Sequence, residues 1–328
     1  MVEFQKRSLP PELRETRYLR AQYLPHPEEK SVHAAFFALT REIQALDDGH
    51  CHEVKGVAPL GPSGSGKTTL TRQLPVWFPH LTDWTHADEG GSLKVTPVLR
   101  VRLQGSVNRR GFFKAALEAL NVPVRPKGDT ADDLYIALVR LCRVRGVRVI
   151  VVEEVQHALG DRADDKVHAN TLKNLLDDER YPIALVLVGT PEVAPWLETV
   201  DAASLGEDTV RDGHNARRFY RVALRAMPHE VGTALAANLI EKGCGLADLT
   251  VGRSVVRRQA AARVAHVTNG RFGALVEAVD RALTEAVDDG SDTLEIGHFA
   301  RSHATKTGSH RDDNAFLIDG WDRTGPAL

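Results

Sequence analysis

The chain has 328 residues, 42% of them hydrophobic and 26% charged, and 42 Lys+Arg against 44 Asp+Glu give a formal net charge of -2. At about 150 residues per domain this is an ordinary globular composition spread over about two domains. It excludes a strongly basic nucleic-acid coat and a wholly acidic disordered chain, so any DNA contact has to come from a local basic patch.

The first thirty residues are charged and carry Pro10, Pro11, Pro25 and Pro27, the texture of an arm or linker. They lack the apolar centre of a signal peptide. Helical spacing follows over 31–47, with Ala35, Phe36, Leu39, Ile43 and Leu46 on one face and Ser31 as a possible cap. Short apolar strands then alternate with amphipathic helices. Strands are expected near 54–60, 97–103, 147–152, 183–188 and 219–224, and helices near 66–77, 111–121, 131–144 and 167–179. That alternation predicts parallel pairing in an α/β sheet. The unbroken β-branched run Val149-Ile150-Val151-Val152 reads as a central strand buried on both faces. From Pro228 the texture becomes Ala-rich and helical, with no convincing strand. The expected layout is therefore an N-terminal arm and helix over 1–50, an α/β domain over 51–227 and a helical domain over 228–302. A polar, disordered tail is expected over 303–328. Phe316 and Trp321 in that tail suggest a docking peptide for a partner. No run approaches the roughly 18 apolar residues of a membrane span. Cys51, Cys142 and Cys244 are far apart and in no C-x-x-C pair. The cysteines suggest no disulfide framework and no zinc site, which makes a reducing cytoplasm the natural home.

From Gly61 the sequence reads GPSGSGKT, a G-x-x-x-x-G-K-[ST] loop between a strand and a helix. Gly61, Ser63, Gly64, Ser65 and Gly66 would turn backbone amides inward around phosphates, and Lys67 would supply charge to the β- and γ-phosphates. The Thr68 hydroxyl would serve Mg²⁺, with Thr69 beside it in the first helical turn. The pattern therefore calls for ATP and Mg²⁺. Glu153 and Glu154 end the buried strand, where ligands bind in open α/β sheets. The first acid suits Mg²⁺ and the second the attacking water, as in P-loop ATPases. Glu153 stands where Asp is usual, and its longer reach raises the question of slow hydrolysis. Thr190 leaves the next strand in Gly189-Thr190-Pro191, placed either to bond the γ-phosphate or to cap a turn.

Together these segments resemble the AAA+ ATPases, and among them the TniB/TnsC type, ATP-dependent target selectors of DNA transposons. The resemblance spans about residues 31–300 and is carried by GPSGSGKTTL, PVLRVRLQGSVNRRGFFKAALEALN, VIVVEEVQHAL, ALVLVGTPEV, the Arg217-Arg218-Phe219 triplet and TNGRFGALVEAVDRAL. It implies a P-loop AAA+ parallel five-stranded sheet with a small C-terminal helical lid, and ATP bound between subunits of a ring or helical filament on duplex DNA. It further implies a transposase and a target-selection adaptor as partners. By resemblance Lys67 and Thr68 hold phosphate and Mg²⁺, Glu153 supports Mg²⁺, Glu154 is the catalytic base and Thr190 a sensor. Arg218 or Arg217 is the finger for a neighbour's γ-phosphate, and Arg271 is a second sensor; each arginine can equally be read as a surface ion pair. The loop after the second strand places Asn108, Arg109, Arg110 and Lys114 where the family approaches DNA, for salt-sensitive backbone contacts. The clusters Arg140, Arg143, Arg145, Arg148 and Arg253, Arg257, Arg258, Arg263 read as exposed helix faces or subunit contacts. Two other readings remain open: an ATPase of the same fold acting on a protein client, such as a helicase loader or signalling ATPase, and a nucleotide-gated module without catalysis.

Overall fold

The computed structural model describes residues 19, 22–50, 53–88, 91–125, 128–158, 170–202 and 218–323. It comprises two compact units. One contains Pro27–Ser63 and Lys67–Leu224, and the other contains the described residues up to His26, Gly64–Gly66 and those from Arg225 on.

The first unit is built on β1 (Gly56–Leu60), β4 (Val98–Arg102), β5 (Val149–Glu153), β6 (Ala184–Val188) and β7 (Phe219–Ala223). All pair in parallel, in the order β4-β5-β6-β1-β7. β1, the first of these strands in sequence, therefore lies inside the sheet, and chain connections diverge on either side of it, the switch point where open α/β sheets bind ligands. The three central strands β5, β6 and β1 are solidly apolar because both faces are covered: Val149–Val152, Ala184–Val188 and Gly56–Leu60 are all buried. Helix α1 (Glu29–Asp47) buries Val32, Phe36, Leu39 and Ile43 and belongs to this unit rather than to an N-terminal arm.

The helix expected over 66–77 is two pieces, α2 (Lys67–Arg72) and α3 (Leu74–Trp77). Pro75 lies in the first turn of the second piece, where its missing N–H costs nothing, and it cannot continue the first. A hairpin absent from the sequence reading, β2 (Trp84–Asp88) with β3 (Gly91–Val95), pairs antiparallel outside the main sheet. Its signal was the Gly90-Gly91 pair between two short runs. Helix α4 (Arg109–Ala119) starts at Asn108. Helix α5 (Ala131–Arg145) starts at a capping box of Thr130 and Asp133 and ends at left-handed Gly146. A further helix, α6, covers 170–176, and α7 (Val193–Ala202) follows β6.

The second unit holds α8 (His229–Leu246), α9 (Arg253–Arg257), α10 (Ala260–Val267), α11 (Phe272–Asp288) and α12 (Ile296–Thr307). The helical stretch from Arg253 to Val267 breaks at Gln259, whose φ is +52°. Contrary to the all-helical expectation, Thr250–Val251 and Thr293–Leu294 form a short parallel pair, β8 and β9. The tail is also not the disordered peptide its polarity suggested. Phe316 is 2% exposed and stacks on Phe299 with ring centroids 5.5 Å apart. The Asn314 amide donates to Ala300 O at 2.8 Å. Arg263, read as a surface cation, is 4% exposed. Its guanidinium donates to the carbonyls of Ala315 and Ile318 and lies over the Trp321 ring. Arg258 adds a bond to Leu317 O at 2.7 Å. Among the described residues no helix is long and apolar enough to cross a membrane.

Candidate nucleotide site

The carboxyl ends of β1, β5 and β6 bring the predicted acids, the lysine and Thr190 to one edge of the sheet. The loop leaves β1 with Gly61 N–H donating to Gly189 O at 3.1 Å, which ties it to the end of β6. Lys67, first residue of α2, folds back to donate from Nζ to Gly61 O at 2.7 Å and Pro62 O at 2.9 Å. Burial pushes its ammonium below the ordinary lysine range, and Glu154 opposes that shift. A half-buried cation with only carbonyls for direct partners among the described residues has unused capacity to neutralise an anion. Thr68 and Thr69 follow in the first turn of α2, with Thr68 half-buried and Thr69 exposed.

The loop's tip, Gly64–Gly66, groups with the helical unit. Gly64 and Gly66 have φ of +76° and +94°, which a side chain would strain. Between them Ser65 is buried, and its hydroxyl has no partner among the described residues. Ser63 precedes the tip and is exposed. Positive-φ glycines around an orphaned hydroxyl are what a loop shaped to receive an anion offers.

Glu153 ends β5 with its side chain 13% exposed, beside Arg100 of β4, whose Nη1 is 3.4 Å from Glu153 Oε1. Arg100 Nη2 also donates to Thr71 O at 2.6 Å. The sequence reading missed Arg100. Its signal was a charge in the middle of the strand V-L-R-V-R, where it lies in register with Val151 of β5. Thr68 and Glu153 offer the oxygen donors a hard cation takes, but Arg100 already balances Glu153 and would share it. Glu154 adopts φ +59°, a left-handed conformation rare for a non-glycine residue. Its carboxylate accepts from Gln156 Nε2 at 2.6 Å, while Gln156 Oε1 accepts from Thr190 N–H at 3.3 Å. Gln156 thus joins the end of β5 to the end of β6 and orients both Glu154 and Thr190, a role the sequence reading did not assign. Thr190 Oγ1 reaches Glu192 Oε2 at 3.4 Å, a long contact that leaves the hydroxyl adaptable.

Arg218 directly precedes β7, and its carbonyl accepts from Gly56 N–H at 2.8 Å. It therefore sits at the amino edge of the sheet. A five-residue strand separates that edge from the phosphate loop, roughly 15 Å at 3.3 Å per residue. Its Nη1 bonds Asp177 at 2.6 Å and Glu53 at 2.8 Å. Burial lifts the Asp177 carboxyl above its ordinary value, against the pull of Arg218 and with Glu53 adding to the rise. Arg217 lies outside the described residues. Arg271, in the helical unit, stands just before α11, and its Nε donates to Thr268 O at 3.0 Å.

The four basic-loop residues all have intramolecular partners. Asn108 Oδ1 accepts from Gly111 N–H at 2.9 Å, and Arg109 pairs with Asp132 at 2.7 Å. Arg110 donates to Asp129 O and Arg125 O, and Lys114 lies 3.6 Å from Glu118. Asn108 and Lys114, with Arg102, Gln104 and Ser106, line a cavity of about 530 Å³ at the end of β4. Arg102 is exposed and pairs with none of the described residues. It was not among the predicted contacts.

The profile of the bacterial TniB protein matches residues 20–203. No curated protein matches the sequence. Among solved structures, Cdc6p from Pyrobaculum aerophilum superposes with a TM-score of 0.59 at 16% identity, over 88% of this chain and 70% of that one. The Aeropyrum pernix ORC1 protein in complex with DNA gives 0.56 at 17%, over 92% and 71%. The Aeropyrum pernix ORC2 protein in ADPNP–ADP complexes gives 0.53 at 16%, over 91% and 70%. At these identities the likeness speaks to the fold, the AAA+ architecture.

Proposed function

Starting from a chain that belongs to the TniB family and is an AAA+ ATPase, we propose that it uses ATP and Mg²⁺ to assemble on duplex DNA and to direct DNA transposition. In this reading, copies form a ring or helical filament, and the assembly recruits a transposase and a target-selection adaptor in the cytoplasm. The observation that carries the reading is the convergence of Lys67, Glu153, Glu154 and Thr190 at neighbouring strand ends, within a stretch the TniB profile covers.

The parts proposed for the residues are these. Gly61–Gly66 and Lys67 receive the phosphates, Thr68 and Glu153 hold Mg²⁺, and Glu154, steadied by Gln156, takes the proton of the attacking water. Bound Mg²⁺ supplies charge neutralisation at the phosphate oxygens. Thr190 reports the γ-phosphate, and Arg271 is the second sensor that the family resemblance implies. Arg218, a strand's length from its own loop, can serve only a neighbour's nucleotide, which would couple hydrolysis to assembly. For DNA, Arg102 and Lys114 flank the cavity at the end of β4 and Arg109 and Arg110 lie on the adjoining helix start. Such contacts are weak singly and add by avidity along a filament. That ORC1 was solved with DNA and ORC2 with nucleotide supports this reading without carrying it.

The test is duplex binding followed by fluorescence anisotropy with a non-hydrolysable ATP analogue. The unaltered chain should bind more weakly as salt rises, and Lys67→Ala should lose at least about tenfold in apparent affinity, one charge-assisted contact's worth. Equal binding by the two chains sinks the proposal, and no binding by either favours a protein client. Arg218→Ala separately tests the finger. Hydrolysis in the assembled state should fall by about 10³-fold or more while ATP affinity of dilute protein stays within about twofold. Persisting hydrolysis passes the role to Arg217 or removes it.

A further inference from the structure

The phosphate loop is shaped by a residue outside every recognised motif. His26, Gly64–Gly66 and α11 belong to one compact unit. Within it the His26 ring is 6% exposed, packed against Phe272 at 4.7 Å between centroids. Its Nε2 lies 2.8 Å from Ser65 O. A carbonyl can only accept, so Nε2 carries the hydrogen and the tautomer is set. One residue earlier, Ala274 N–H in the first turn of α11 donates to Gly64 O at 2.9 Å. Two successive loop carbonyls are thus held by donors from the same unit.

A trans peptide points its N–H opposite its C=O. Tying back the carbonyls of Gly64 and Ser65 therefore aims the amides of Ser65 and Gly66 the other way. Among the described residues, the amides of Gly64, Ser65 and Gly66 make no well-aligned hydrogen bond. Unpaired backbone donors are costly where water is limited, and a run of them converging in a turn is an anion cradle. The fit at α11 is close: a Cβ on Gly273 would come within 2.8 Å of Gly64 O. The arm that carries His26 is itself fastened. Leu19 is fully buried, and its N–H donates to the Asp280 carboxylate at 2.9 Å.

We propose that His26 is a positioning residue for nucleotide binding: with Ala274 N–H it holds the loop carbonyls outward so that the Ser65 and Gly66 amides face the phosphates. This rests on the nucleotide reading above. It also ties phosphate affinity to the arm and to α11, so a partner that lifts either one would loosen the grip on ATP.

The experiment is calorimetric titration of the full chain with ATP and Mg²⁺, alongside melting of the nucleotide-free protein. His26→Phe keeps the ring packing and removes the donor, so ATP affinity should fall about tenfold, the worth of one hydrogen bond made effective at an anion. His26→Gln places an amide N–H near the same point and should recover affinity to within about threefold of the parent. That rescue separates positioning from packing. Gly273→Ala, which crowds the loop by another route, should weaken ATP comparably and decides the matter if His26→Phe does not fold. Wild-type affinity in His26→Phe, or no rescue by Gln, overturns the inference. Lys67→Ala is titrated in parallel. If it alone loses ATP, only the role of His26 falls, and if it too binds normally, the nucleotide reading itself fails.

Discussion

Glu154→Gln should lower ATP hydrolysis by about 10² to 10⁴-fold, the usual contribution of a positioned general base. The substitution keeps the side chain's volume and can still accept from Gln156 Nε2, the 2.6 Å bond that now holds the carboxylate. Nucleotide binding and melting temperature should therefore stay near those of the parent, and hydrolysis alone should collapse. Steady-state phosphate release, measured with and without duplex, checks this. Rates equal to the parent's would mean that Glu154 is no base and would favour a nucleotide-gated module. The backbone offers a second handle. Glu154 holds φ +59°, a conformation costing of order 1 kcal/mol or more in a residue with a Cβ. Glu154→Gly should therefore be inactive yet no less stable, since relief of strain offsets the lost bond. Strain kept at a residue whose removal does not harm the fold is the mark of a functional position.

Phe316→Ala should destabilise the helical unit by about 3–5 kcal/mol, the cost of emptying a filled aromatic site in a core. Phe316 is buried against Phe299, with the His303 ring at its edge. Truncation after Gly308 should cost at least as much. It uncovers Phe299 and removes the Ala315 and Ile318 carbonyls that satisfy the buried Arg263 guanidinium. Urea denaturation of the full-length variants reads this directly. A tail without a fixed place would give no change, so an unaltered midpoint in Phe316→Ala would remove the segment from the core. A docking role for this segment would then require its release from the helical unit, a cost the partner would have to meet.

Much of this molecule was legible before any coordinates. The three central strands of the main sheet were found because burial on both faces leaves uninterrupted apolar runs such as Val149–Val152. The hairpin of β2 and β3 escaped because its strands lie outside that sheet and lack a dominant apolar run. The ends of α4 and α5 were placed within two residues. The two breaks, at Pro75 and Gln259, differ in kind: proline announces itself, whereas a left-handed glutamine does not. The tail misled for a compositional reason. Its polar and glycine residues outnumber its core residues, yet Asn314, Ala315 and Phe316 are buried, and the carbonyls of Ala315 and Ile318 meet the inward-turned Arg263.

The amino-acid order alone determined what is contiguous: a glycine-rich turn with Lys67 and Thr68, two acids at the end of a buried strand, a threonine at the end of the next, and the alternation that makes the sheet parallel. Those features depend on neighbours in the chain, and spacing reveals them. Which groups meet was decided only by the folded chain. Arg100 and Glu153 are 53 positions apart, Thr190 and Gln156 34, His26 and Ser65 39, and Leu19 and Asp280 261. Such pairs are selected by strand order and by desolvation, which obliges each buried polar atom to find a partner wherever the backbone brings one.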